Sequence, residues 1–165
     1  MDQTASVGGV LLPACFFGLY FILEAADWGL GMAGAWAARA KEERQVLLRL
    51  MQPALDGNEL WFFMALFMMV TAFPEMRQGS DALWYGAAAF IVAAGALLRL
   101  AGALWFRHLG SPCFLKVLAV FSCAGMFLMG MIGTMVVRPD GQMLSAAGVA
   151  GGIWAVLACF QIGTL

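Results

Sequence analysis

Charged side chains are scarce in this sequence. Only 12% of its 165 residues are Asp, Glu, Lys or Arg, and 63% are hydrophobic, whereas soluble domains average about 25% charged and roughly 45–50% apolar residues. This composition excludes an ordinary soluble domain and indicates an integral membrane protein. The net charge of −1 and the lack of a Lys/Arg-rich run give no electrostatic footprint for nucleic acid. Lipid and other membrane helices are the expected partners.

Ligands for metals and haem are equally scarce. The four cysteines have no C-x-x-C spacing, which argues against zinc, an iron–sulfur cluster or covalent haem, and we expect them to be buried small hydrophobes. The single histidine, His108, excludes bis-histidine haem ligation within one copy, and its place after "LWFR" favours an interfacial position. No nucleophile–base pair or phosphate loop is evident. We therefore expect no catalytic residue and no metal site in this chain.

Long apolar runs are what the sequence does contain. A spanning helix needs about 20 mostly apolar residues, and five segments meet or approach that length: 9–32, 59–74, 83–105, 114–137 and 143–164. Because no basic n-region precedes the first run, we expect a retained helix there and not a removable signal peptide. The predicted fold is an all-α integral membrane domain over 1–165, with five transmembrane helices, four of them in a bundle and one further helix.

The segment between the first two runs is amphipathic. Over 36–51, Leu47 and Leu50 fall near one side, while most charged residues lie on others. This pattern predicts a short helix on the membrane surface, and a solvated linker helix with no partner is the alternative. Basic residues concentrate in this loop and, at Arg107 and Lys116, in the loop after the third run. The positive-inside rule therefore predicts an outside N-terminus and a cytoplasmic C-terminus.

Acidic residues occur where a bilayer disfavours them. An ionisable group in a spanning helix is costly unless it is paired, neutralised or hydrated, so each one is a functional candidate. Glu24 and Asp27 are three residues apart on one side of the first helix. Asp56, with Glu59, opens the second helix in a pattern like a capping box. Asp56, Asp27 and Glu24 thus form a series suited to a proton relay; the alternative is that Asp56 only caps its helix while the other two bond to backbone or pair with Arg99.

Two motifs follow each other in a fixed order, "ILEAADWGLGM" and then "MQPALDGNELW", before the proline turn "FPE". In this combination the chain resembles subunit II of the cytochrome bd quinol oxidases, which carries D-G-F-D-x-G-x-G-M and then P-x-W-D-G-N-x-x-W. The matching positions are Asp27, Gly29, Gly31 and Met32, with Glu24 at the leading acid, and Pro53, Asp56, Gly57, Asn58 and Trp61. A third family motif, F-R-P-x-G-F, is kept only in part: Arg99 and Gly102 fit, but Leu100 replaces the proline.

The resemblance implies a role within a larger complex. In that family haem b and haem d belong to a larger membrane subunit, while subunit II supports it and contributes acids to a cytoplasmic proton path. At the matching positions of this chain, the resemblance implies that Asp56 lies near the entrance of the proton path, with Asp27 further in and Glu24 beyond Asp27. The implied reaction is quinol oxidation coupled to reduction of oxygen to water at a bacterial or archaeal inner membrane.

The chain differs from that family in length. The family's subunit II is about twice as long, so a second copy or a second half-length subunit is the expected completion. A purely structural or assembly subunit and a small independent membrane carrier are the alternative functions.

Overall fold

The computed structural model describes residues 7–50, 57–72, 80–101, 111–137 and 145–164. These residues form helices and no strand, which confirms the all-α class for the described part of the chain. The helices are α1 (Val7–Ala37), α2 (Lys41–Leu50), α3 (Glu59–Ala72), α4 (Ser80–Ala101), α5 (Pro112–Val137) and α6 (Ala146–Thr164).

Three of these helices are long and apolar enough to cross a membrane. They are Leu11–Ala37, Pro112–Thr134 and Ala146–Thr164, and two shorter apolar helices, Glu59–Ala72 and Tyr85–Leu98, accompany them. The predicted ends of the corresponding second and third spans, 73–74 and 102–105, lie outside the described residues. The chain is therefore a multi-pass membrane protein, and a count of five crossings stays a prediction.

Helix α1 extends further than its apolar run. The sequence predicts an end near residue 32 and a surface helix from residue 36, whereas α1 continues to Ala37 and α2 begins at Lys41. Alanine has the highest helix propensity, so the stretch "AGAWAA" prolongs the helix beyond the hydropathy signal. At 1.5 Å per residue, Glu24 and Asp27 lie about 20 and 15 Å from the end of α1, compared with about 12 and 7 Å for an end at residue 32.

Helix α1 lies at the centre of the bundle. It contacts α2, α3, α5 and α6, and α5 contacts both α4 and α6. Phe17 lies near Gly133, and Trp28 lies against Gly125. Helix α5 therefore runs antiparallel to α1. Large side chains fill the core on this side of α1, among them Tyr20, Trp28, Met126, Met129 and Ile132.

Helix α6 approaches its neighbours through glycines. A Cβ atom on Gly29 of α1 would collide with the backbone of Gly163, and a Cβ atom on Gly130 of α5 would collide with α6 in the same way. Small residues permit such close approach between membrane helices, where van der Waals packing drives association. Earlier along α1, Phe21 stacks on Trp154. The residue numbers rise together on both helices, from the pair Phe21 and Trp154 to the pair Gly29 and Gly163, so α6 runs parallel to α1.

Helix α2 packs across one end of the bundle. Its buried residue Leu48 clusters with Phe114, Leu115 and Leu118 at the start of α5, and Leu98 near the end of α4 packs against this group. Leu47 also fills the space above Gly34 of α1. Helix α2 thus has a packing partner and is not a solvated linker helix. We call this end, where α1 and α4 finish and α5 begins, the α2-covered end.

The cysteines correct one expectation from the sequence. Cys15, Cys113 and Cys123 are exposed, and Cys159 alone of the four is buried. Apolar residues of a membrane protein can face lipid instead of the core, since lipid tails are as apolar as leucine. The prediction that all four are buried is therefore wrong.

Candidate functional site

The leading acid of the first motif lies among large polar side chains on the buried face of α1. Tyr20, Glu24 and Trp28 are spaced by four residues, share one helix face, and are 0%, 0% and 1% exposed. The indole Nε1–H of Trp28 donates a hydrogen bond of 3.0 Å to the Tyr20 hydroxyl oxygen. This bond runs alongside the helix turn that carries Glu24. We call these three residues the polar stripe.

The ring of Trp28 occupies space that two other helices leave for it. A Cβ atom on Gly95 of α4 would lie 2.6 Å from its Cη2 atom, and one on Gly125 of α5 would lie 2.7 Å from its Cζ3 atom. The two glycines therefore fix where the indole sits. Sequence reasoning missed both Tyr20 and Trp28, although their spacing of four residues on either side of Glu24 was a readable signal.

Asp27 lies beside the polar stripe and differs from Glu24 in exposure. Its carboxylate is half-buried, whereas Glu24 is fully buried. Its side of α1 continues through Gly31 to Gly34, where Leu47 of α2 packs. Both acids take part in further interactions with the chain. Asp27 thus lies beside the polar stripe, one turn nearer than Glu24 to the α2-covered end.

The second motif forms the turn that begins α3. Pro53 and Asp56 lie outside the described residues. Gly57 has a φ of 86°, a left-handed conformation that costs other L-residues roughly 1–2 kcal/mol. Its carbonyl oxygen accepts a 3.0 Å hydrogen bond from the N–H of Leu60, and the carbonyl of Asn58 accepts one of equal length from Trp61. Backbone geometry therefore accounts for the glycine of this motif.

Aromatic contacts place the start of α3 beside the polar stripe. Trp61 stacks on Phe16 with ring centroids 5.5 Å apart. Phe62 lies against Phe17 and against Tyr20, at centroid distances of 6.3 and 5.4 Å. Tyr20 is one helical turn from Glu24. The fold thus brings the first turn of α3, which ends the second motif, next to the stripe that carries the first.

Arg99 lies on α4, one turn beyond Gly95, the glycine that faces Trp28 of the polar stripe. It follows Gly95 by four residues, so its backbone is about 6 Å further along α4, toward the α2-covered end. Its side chain and His108 lie outside the described side chains, and the pairing of Arg99 with an acid stays a prediction. Within the described ranges, no three His, Cys, Asp or Glu side chains form a group that could hold a metal ion.

Comparison with known proteins gives the chain a family. The family described as cytochrome bd terminal oxidase subunit II matches residues 7–165. The cytochrome bd ubiquinol oxidase subunit 2 of Bacillus subtilis (strain 168) is 28% identical over 174 residues, covering 94% of this chain and 50% of that protein. The chain thus spans about half the length of this curated relative, and no solved structure matches it. On the extent of the family match, this chain belongs to the cytochrome bd terminal oxidase subunit II family.

Proposed function

We propose that this chain is the haem-free subunit of a bd-type quinol:oxygen oxidoreductase. It supports a larger subunit that holds haem b and haem d, and it conducts protons from the cytoplasm toward the haem at which oxygen is reduced. The path consists of Asp56, Asp27 and Glu24. The observation that carries the proposal is the complete burial of the Glu24 carboxyl within a spanning helix.

A carboxyl at the position of Glu24 needs a reason to be there. Moving a carboxylate out of water is costly, so the group must be neutral, paired or hydrogen-bonded. The Tyr20 hydroxyl accepts a hydrogen bond from Trp28 and keeps its own proton as a donor. The polar stripe therefore suits a carboxyl that alternates between protonated and ionised forms. A purely apolar core would support the complex without such a group.

The order of the acids supports a direction for proton movement. Asp27 is half-buried and lies toward the α2-covered end, while Glu24 is fully buried about 4.5 Å further along the helix axis. Asp56 lies outside the described residues, and its place at the entrance stays a prediction. The described start of α3 lies beside Phe16 and Tyr20, which are farther than Glu24 from the α2-covered end. With an outside N-terminus, the α2-covered end faces the cytoplasm. Exposure then decreases from Asp27 to Glu24, in the inward direction that a proton entry path requires.

The proposed subunit also has a defined topology and defined partners. Five crossings over the single domain 1–165 form a four-helix bundle plus one further helix, with α2 at the cytoplasmic surface. A second copy or another half-length subunit supplies the remainder of the length of the curated relative. The sequence contains a single histidine, His108, and this scarcity agrees with a haem-bearing partner. In this proposal, haem chemistry and quinol oxidation belong to the partner.

Oxygen uptake by the whole complex tests this function. Asp27→Asn and Glu24→Gln should each lower quinol-dependent oxygen consumption by about tenfold or more, as removal of a proton-transfer group does, with the haem spectrum and subunit content unchanged. Glu42→Gln, at an exposed position on α2, is the control and should retain activity. Unchanged turnover in both acid variants would leave only a structural or assembly role. A colourless protein that conducts ions in liposomes without a haem-bearing partner would indicate an independent carrier.

A further inference from the structure

Two apolar grooves lie side by side along the outward face of α5. The first, of about 520 Å³, is formed with Ala35 and Trp36 at the end of α1. The second, of about 290 Å³, is formed with Phe90 and its neighbours on α4. Val120 and Ala124 line both grooves. Val120 is 66% exposed, so it stands as a ridge between the two.

The first groove has a polar mouth at the α2-covered end. Lys116 is the charged residue among those that line the two grooves, and it lies in the second turn of α5. Trp36, 79% exposed, lies in the last turn of α1 on the opposite wall. Tryptophan favours the headgroup level of a bilayer, and a lysine stem can lie along apolar surface while its ammonium reaches the same level. The mouth therefore lies at headgroup depth.

The interior of the groove is apolar. It continues past Ala119 to Cys123 and Ala124, and Cys123 lies about 10 Å beyond Lys116 along the helix axis. The lining thus changes from a cation at headgroup depth to small apolar side chains at acyl-chain depth. This is the polarity gradient of a phospholipid.

We propose that this surface binds one anionic diacyl phospholipid. The Lys116 ammonium pairs with the acidic headgroup, and the two acyl chains occupy the two grooves on either side of Val120. Basic pockets between transmembrane helices bind acidic lipid headgroups in this way. An apolar partner helix is a poorer fit, because it would leave the Lys116 ammonium at the groove mouth without a counter-charge.

The thiol of Cys123 reports occupancy of the first groove. In the full chain with its natural partners, reconstituted in nanodiscs, labelling by the neutral reagent N-ethylmaleimide is compared in phosphatidylcholine and in phosphatidylcholine mixed with phosphatidylglycerol. The anionic lipid should slow labelling of Cys123 severalfold. Cys113 is exposed near the same end and lines neither groove, so it controls for the surface potential of the anionic bilayer. Its labelling rate should change much less.

Two lysine variants decide the outcome. Lys116→Gln should abolish the protection of Cys123 by phosphatidylglycerol, while Lys41→Gln, a variant on α2 outside the groove, should retain it. Native mass spectrometry should show phosphatidylglycerol on the unaltered chain and its loss in Lys116→Gln. Equal protection in both lipid mixtures, or protection that survives Lys116→Gln, would overturn the proposal. Protection that depends on the haem-bearing partner and not on lipid charge would assign the grooves to a partner helix.

Discussion

Trp28 and Gly29 are neighbours in α1, yet the faces to which they belong pack in opposite ways. The Trp28 side chain projects into space provided by glycines of α4 and α5, whereas Gly29 has no side chain and meets the backbone of α6 directly. A side chain can move by a few tenths of an ångström, but the backbone of a packed helix cannot do so cheaply. The seam between α1 and α6 is thus the rigid contact, and the polar stripe is the adjustable one.

The largest effect should come from filling the rigid contact. Gly29→Ala places a methyl group where the Cys159 carbonyl and the Gly163 backbone lie, so the two helices must separate. We expect a loss of about 3 kcal/mol, the upper part of the range for overpacking, measured by unfolding in mixed detergent micelles. Gly18→Ala is the control, because nothing lies within 4 Å of its added Cβ atom. Similar losses in both variants would show that the seam is not tightly packed.

A methyl group added at the adjustable contact, where Gly125 meets Trp28, should destabilise the protein less. In Gly125→Ala the new methyl group meets the ring of Trp28 at 2.7 Å, and the ring can shift. We expect a loss of about 1–2 kcal/mol. Trp28→Phe replaces the indole by a smaller ring. In that background, Gly125→Ala should destabilise the protein less. Strict additivity in the double-mutant cycle would contradict the assigned contact.

Removal of the hydrogen bond in the polar stripe should have a smaller effect. Tyr20→Phe keeps the ring against Phe62 but leaves the Trp28 indole without its 3.0 Å acceptor. We expect a loss of about 1 kcal/mol, with a coupling to Trp28→Phe of similar size in the same unfolding assay. A vanishing coupling would mean that the bond contributes nothing to stability.

The smallest effect is expected at the exposed turn between α1 and α2. The Glu43 carboxylate accepts hydrogen bonds from the backbone N–H groups of Ala40 and Arg39, at 2.9 and 2.8 Å. These two bonds, with a smaller contribution from the charges of Arg44 and Arg39, hold the pKa of Glu43 below its ordinary value of 4.5. The stabilisation is therefore present above pH 4.5 and is lost as the pH falls through the lower folded-state pKa.

Amide hydrogen exchange at the first turn of α2 measures this effect. Exchange should accelerate on acidification below about pH 4.5, after correction for intrinsic rates. Glu43→Gln should abolish that acceleration, because the amide does not titrate. Glu42→Gln removes a charge from the same turn but leaves the two backbone bonds to Glu43 in place, so it is the matched control. Identical profiles in the two variants would exclude the cap.

Much of the fold and part of the site could be predicted from the sequence. Apolar runs located the helices, and the spacing of Glu24, Asp27 and the second motif indicated the family. The true end of α1 at Ala37 was missed because alanine-rich helix continues where hydropathy falls. The bond between Tyr20 and Trp28 was missed because their four-residue spacing from Glu24 places them on one helix face but does not show that the two side chains meet.

The sequence by itself determined that this chain is helical and lies in a membrane, and the order of its motifs determined its family. A chain so poor in charge must satisfy its backbone polar groups internally within a bilayer, and helices do so segment by segment. Tertiary structure decided which faces meet: Trp28 in the gap above Gly95 and Gly125, α2 across one end, and Cys123 on the outer surface. A membrane helix is apolar on nearly every side, so its periodicity does not mark its buried face, and only packing against specific neighbours does.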